Sequence, residues 1–182
     1  MVRIAVAGAM GRMGSRIVAL SQEYEYLNLA GAFEKKGLKD IGKDIGVLTG
    51  IGEISVPLLD NVEKAIDGAD VVIDFTHTVS TLENLRVASS RKKAMVIGTT
   101  GFAGDQLAEI RELSKNIPCV MASNMSLGVN LLLKVLENVA RTLGDDYDVE
   151  IIEAHHRMKK DAPSGTALKM AQVIAGALQR DL

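Results

Sequence analysis

With 182 residues, 47% of them hydrophobic, the chain is long enough to bury a core, and nothing in its composition suggests disorder. Its formal net charge of −2 and pI near 5.9 exclude an electrostatic footprint for nucleic acid, so a small anionic substrate is the better expectation. Its one cysteine, Cys119, sits in the apolar run 117–122 and cannot form an internal disulfide, which indicates a buried thiol in a reducing compartment. Met1 leads directly into an apolar run without a leader pattern, and no run approaches membrane-spanning length, so a cytoplasmic protein with no membrane partner is expected.

The first element is a short apolar strand, Val2–Ala7, followed by Gly8-Ala9-Met10-Gly11-Arg12-Met13-Gly14 and a helix over Ser15–Gln22. The G-x-x-G-x-x-G spacing departs from the G-x-G-x-x-G fingerprint. The physical need is the same: a tight turn, close backbone approach to a pyrophosphate, and close packing of helix on strand. Glu34 ends a second apolar run, Leu27–Phe33, at the spacing where an acid accepts from a ribose hydroxyl, and Lys35 and Lys36 follow it as partners for a 2′-phosphate. A purely structural glycine turn is the competing interpretation of the same residues.

Further along, residues 37–56 read as an extended glycine-rich loop and Asp60–Ile66 as a short helix. Asp70–Phe75 is a buried strand ending in Thr76-His77-Thr78, and Val79–Lys93 is a helix. Ala94–Gly98 is a strand ending in Thr99-Thr100, Gly104–Asn116 a helix, and Pro118–Ala122 a strand leading to Ser123-Asn124-Met125-Ser126. This alternation predicts a right-handed parallel sheet with helices on both faces, whose carboxyl-end loops converge where such sheets bind ligands. His77 taken alone is an ordinary surface histidine, and the eight methionines are core fillers.

An amphipathic helix, Leu127–Leu143, precedes a strand over Asp148–His156 and the segment Glu153-Ala-His-His-Arg-Met-Lys-Lys-Asp-Ala-Pro-Ser-Gly-Thr-Ala167. On a strand His155 and His156 point to opposite faces, so no shared metal is expected. Pro163 and the N-cap Ser164 start a helix whose Gly165 and Thr166 amides face an anion. Arg157, Lys159 and Lys160 make the intervening loop cationic. Two interpretations stay open for it: a carboxylate site with a lysine and a histidine that move protons, or a solvated basic loop.

Together, AGAMGRMG, DFTHTVSTLENL, VIGTTGF, ASNMSLGVN and EAHHRMKKDAPSGTA resemble the 4-hydroxy-tetrahydrodipicolinate reductase (dihydrodipicolinate reductase) family, in order from residue 2 to about residue 178. The resemblance implies an α/β protein with a Rossmann-like parallel sheet over residues 1–126 and a partial α+β substrate domain over 127–182. It implies NADPH or NADH as cofactor and a cyclic imine-type dicarboxylate as substrate, in the lysine and diaminopimelate pathway. By position, Gly8, Ala9, Met10, Gly11, Arg12 and Met13 would cradle the pyrophosphate, with Glu34 on the ribose and Lys35 on a 2′-phosphate. Gly98, Thr99, Thr100, Ala122, Ser123, Asn124 and Met125 would line the nicotinamide side. His155 and Lys159 would be the proton-transfer pair, with Lys159 the donor, and His156, Gly165 and Thr166 would hold substrate carboxylates. Family members continue several dozen residues beyond Leu182. The implied homotetramer and full turnover are therefore expectations for family-length chains, reduced in this one. Another nicotinamide-dependent dehydrogenase, or a catalytically silent or impaired dinucleotide binder, is the alternative.

Overall fold

The apolar run Val2–Ala7 forms strand β1 at the centre of a sheet, and its side chains divide by the period of two that a strand dictates. Ile4 and Val6 enter one buried cluster, while Ala5 and Ala7 enter another on the opposite face. The computed structural model describes residues 1–157 and 162–182, which form two units, Met1–Ala122 and Ser123–Leu182.

In the first unit β1 pairs in parallel with β2 (Leu27–Phe33) on one side and β4 (Val71–Asp74) on the other. β3 (Leu58–Leu59) extends the sheet beyond β2, and β5 (Ala94–Ile97) and β6 (Cys119–Met121) extend it beyond β4. The order β3-β2-β1-β4-β5-β6, parallel throughout, is the doubly wound arrangement, and it reverses between β1 and β4. Helices α1 (Arg12–Ser21) and α2 (Ile45–Thr49) contribute Val18 and Ile45 to the cluster on one face. Helices α3 (Val62–Ile66), α4 (Thr78–Ser90) and α5 (Gly104–Ser114) contribute Ile66, Leu85 and Ile110 to the other. The Rossmann-like sheet expected from the alternation is therefore present, with helices on both faces.

Two local readings change. α1 begins at Arg12, earlier than Ser15, because Gly11 is extended (φ −73°, ψ 169°) and caps the helix directly after the turn. The stretch 37–56 is no plain loop: it contains α2 and leads into β3. The Asp44 carboxylate organises it, accepting from the amides of Val47 (3.0 Å), Ile54 (3.3 Å) and Val56 (3.0 Å). Desolvation pushes that carboxyl up, but the converging amides outweigh it and hold it below its ordinary value.

The second unit contains α6 (Leu127–Leu143), a 3₁₀ turn at Gly144–Asp146, and α7 (Gly165–Leu178). Ser126 and Ser164 cap the two helices, accepting from the amides of Val129 and Ala167. Residues 123–126 belong to this unit through their polar contacts: Asn124 Oδ1 accepts from the Ser126 amide, and Asn130 Nδ2 donates to the carbonyls of Asn124 and Ser126. The strand expected over Asp148–His156 is not formed, and the unit has no strand among the described residues. Apolar character supplies a face to bury, but a strand also needs a neighbour for its amides and carbonyls, and none pairs with this segment. Ile152 consequently lies 92% exposed.

At the amino-terminal end of the sheet, Asp70 accepts from the backbone amide, Nε and Nη2 of Arg3 at 2.9, 3.2 and 2.6 Å. The Arg3 side chain first, and then its amide, lower the Asp70 carboxyl from 3.8 to about 2. Because the folded value is depressed, the stabilisation is complete above the unfolded carboxylate range and is lost as the pH falls toward about 2. Asp70→Asn should therefore lower the thermal midpoint at neutral pH, and midpoints measured against pH should converge with those of the parent chain in strong acid. A gap that persists undiminished at the acid end would contradict this assignment.

Candidate functional site

The turn after β1 is built on absent side chains. Gly8 has φ +62°, which favours glycine, and a Cβ there would stand 2.7 Å from Thr76 Cγ2. A Cβ at Gly14 would overlap the Gly8 carbonyl, so the first turn of α1 rests directly on the turn. Several amides of this turn are committed internally: Ala9 N–H donates to the Phe33 carbonyl (3.3 Å), Gly11 N–H to the Gly8 carbonyl (2.8 Å), and Met10 N–H to Glu34 Oε1 (3.1 Å). Ala9 is also fully buried in the core. No side chain caps α1, so the amides of Arg12 and Met13 at its start are the ones this turn presents to an anion.

Glu34 thus stands beside the glycine turn as the sequence spacing requires, and its second oxygen accepts from the Lys35 amide at 3.3 Å. Lys35 and Lys36 are exposed, and no ion pair engages either of them among the described residues.

At the end of β4 lies a group that received no role from the sequence. Asp74 is wholly buried, and its Oδ1 accepts from the Thr76 amide (2.9 Å), Thr76 Oγ1 (2.7 Å) and Thr81 Oγ1 (3.0 Å). Its Oδ2 accepts from Asn84 Nδ2 at 2.8 Å. Thr81 Oγ1 is 2.8 Å from Thr99 Oγ1, and the Asp74 carbonyl accepts from the Gly98 amide at 2.8 Å. The Phe75 ring lies where a Gly98 side chain would stand. Thr99 is buried, whereas Thr100 is exposed. A legible signal did exist: an acid closing an apolar strand, with hydroxyl or amide side chains two, seven and ten residues on. His77 is exposed and provides no side-chain cap to α4, in keeping with an ordinary surface histidine. Ala122 follows β6, with its amide donating to the Ile97 carbonyl at 3.2 Å.

In the second unit, Ser123 and Met125 are exposed, and Asn124 Nδ2 donates to Thr166 Oγ1 at 3.2 Å. His155 Nδ1 is 3.3 Å from Glu153 Oε2, while Glu153 Oε1 accepts from the Ser164 amide at 2.8 Å. Glu153, which also received no role from the sequence, therefore links His155 to the start of α7. Gly165 and Thr166 form the first turn of that helix. His156 is exposed. Lys159 and Lys160 lie outside the described residues. No group of three or more His, Cys, Asp or Glu among the described residues could hold a metal ion. Burial pushes the Cys119 thiol up from its ordinary value, which disfavours the reactive thiolate.

The family model described as dihydrodipicolinate reductase, N-terminus, matches residues 2–125, and the model for the C-terminus of the same enzyme matches residues 128–181. The 4-hydroxy-tetrahydrodipicolinate reductase of Syntrophobacter fumaroxidans is 54% identical over 182 residues, and that of Geobacter sulfurreducens is 49% identical over 181. Each alignment covers 100% of this chain and 68% of the relative's length. The structure of a dipicolinate-bound dihydrodipicolinate reductase from Paenisporosarcina sp. TG-14 is similar, with a TM-score of 0.75 and 33% identity, over 97% of this chain and 66% of that one. An amine dehydrogenase from Mycobacterium smegmatis, with a TM-score of 0.63 and 16% identity, shares the fold.

Gly14→Ala should destabilise the first unit by about 1–3 kcal/mol, the usual range for forced overpacking, and should weaken dinucleotide binding with it. Gly104→Ala, where nothing lies within 4 Å of the added methyl, should be neutral or mildly stabilising. Urea unfolding of both variants checks the contrast; equal effects would remove the steric argument.

Proposed function

The chain belongs to the dihydrodipicolinate reductase family, and from that premise we propose that it uses NAD(P)H to reduce 4-hydroxy-tetrahydrodipicolinate, through dihydrodipicolinate, to tetrahydrodipicolinate in lysine and diaminopimelate biosynthesis. The observation that carries this is the tight turn after β1, whose glycines Gly8, Gly11 and Gly14 stand where a Cβ would meet neighbouring atoms, beside the sheet's reversal point and with Glu34 at its edge. The close approach of α1 to the turn, which a side chain at Gly14 would block, supports this reading because it sets the free amides at the helix start beside the sheet edge.

Hydride would come from NAD(P)H when it is bound; the remaining work belongs to the chain. The amides of Arg12 and Met13 would hold the pyrophosphate, in the cradle made by Gly8, Ala9, Met10 and Gly11. Glu34 accepts from the ribose hydroxyls, and because a carboxylate has about four lone-pair sites it can do so while keeping the Met10 amide. Lys35 pairs with a 2′-phosphate when one is present. Gly98, Thr99, Thr100 and Ala122 are assigned to the nicotinamide side; Ser123, Asn124 and Met125 share that assignment on the family resemblance alone.

For substrate, the α7 start offers the amides of Gly165 and Thr166 to a carboxylate, because Ser164 satisfies Ala167 instead. His156 is assigned to the substrate carboxylates as well. Glu153 holds His155 through Nδ1, which leaves the other ring nitrogen for proton transfer. Lys159 is the proposed donor of the proton to the substrate. For family-length chains the proposal extends to a homotetramer in the cytoplasm, with neither nucleic acid nor membrane as partner. No helix among the described residues is long and apolar enough to cross a membrane.

Cofactor oxidation with freshly generated substrate tests the activity, and cofactor binding without turnover of that substrate would overturn it. Both NADH and NADPH should bind within about a hundredfold of each other, roughly 2.7 kcal/mol, because flexible lysines give a 2′-phosphate point charges and not a bidentate fork. Calorimetric titration at low salt measures the ratio. Lys159→Ala should lower kcat roughly 10²–10⁴-fold with cofactor affinity retained, and Lys160→Ala should do far less. Equal, small effects in steady-state assays would reduce this segment to a solvated basic loop.

A further inference from the structure

We propose that Asp74 is a positioning residue for the nicotinamide half of the cofactor site, acting through Thr81 on the loop Gly98–Thr100. The proposal rests on the assignment of that loop given above.

Burying a carboxylate is costly unless its acceptor capacity is filled, and an apolar residue would end an apolar strand at less cost. Here the capacity is filled by neutral donors alone: the Thr76 amide and hydroxyl, the Thr81 hydroxyl and the Asn84 amide group. Only an acceptor-only side chain with two oxygens can take all of them; an asparagine would turn an NH₂ toward donors. The acid is thus matched to a particular gathering of loops.

Those loops are the ligand-facing ones. Thr76 lies with its Cγ2 against Gly8 and Phe75 occupies the space beside Gly98, but the hydrogen bonds of Thr81 run to Asp74 and to Thr99 in the loop after β5. The threonine chain adds direction. Thr81 has a single hydroxyl proton; donated to Asp74, it leaves the Thr81 oxygen to accept from Thr99 at 2.8 Å. Thr99 is thereby pinned inward, and that sets Thr100 and the adjoining backbone outward. A buried network whose members are all satisfied is the type of support that holds a binding loop to a narrow geometry. It faces the carboxyl ends of β4 and β5, away from Glu34 and Lys35, which sit beyond β2.

The spatial division gives the test. Asp74→Asn is the direct variant, and Thr81→Val with its conservative counterpart Thr81→Ser covers the case in which loss of Asp74 unfolds the domain. Each is titrated with NADPH and with adenosine 2′,5′-bisphosphate, which reports only the adenosine half. Thr81→Val should weaken NADPH about tenfold or more, the consequence of losing the buried hydrogen bonds of Thr81 to Asp74 and Thr99, while the bisphosphate binds as it does to the parent chain. Thr81→Ser should restore NADPH affinity. Equal weakening of both probes, or unchanged NADPH affinity in a folded Thr81→Val, would overturn the positioning role and leave the cofactor assignment standing. Failure of the parent chain to bind either probe would overturn the cofactor assignment and this inference with it.

Discussion

The first turn of α1 can lie on the Gly8 carbonyl only because residue 14 has no side chain, and the geometry of the first unit follows from that contact. It lets Gly11 serve as an N-cap immediately after the strand, so the helix starts with its amides at the sheet edge. It also brings Val18 over the sheet to join Ile4 and Val6 in the core. Glu34 then secures the turn from the neighbouring strand through the Met10 amide. The amides of Ala9, Met10 and Gly11 are satisfied within the protein, and those left at the start of α1 are the ones an anion needs.

A second constraint is electrostatic. The sheet edge holds two carboxylates with opposite surroundings: Asp74, sealed among neutral donors, and Glu34, part-exposed with lone pairs to spare. The buried acid has its capacity filled and can only hold its neighbours in place. The part-exposed acid can exchange or add partners, as recognition requires. In the second unit Glu153 combines the two situations, with one oxygen fixed on the Ser164 amide and the other beside His155.

The period-two and helical patterns made most of the first unit legible, since each parallel strand carries its own apolar run and each helix lies between two of them. The glycine turn and Glu34 were legible for the same reason: their spacing is local. What escaped depends on contacts across the sheet. Asp74 reads as a polar residue at a strand end until β5 is placed beside β4 and Thr99 comes within reach of Thr81. Asp44 turns a glycine-rich stretch into α2 and β3 by gathering amides up to twelve residues away, which no periodicity reports. The segment 148–156 failed in the other direction. Its β-branched residues look like a strand, but pairing is a property of two segments, and apolar pattern describes only one.

The proposed function requires a dinucleotide to lie along the carboxyl edge of the first unit's sheet, from the start of α1 past the end of β2 to the loop after β5. Amide chemical-shift mapping of the ¹⁵N-labelled chain during titration with NADPH tests it most directly. Perturbations are expected at Arg12, Met13, Glu34 and Lys35 together with residues 98–100, saturating with one affinity. Saturable binding that leaves Arg12, Met13 and residues 98–100 unmoved would contradict it.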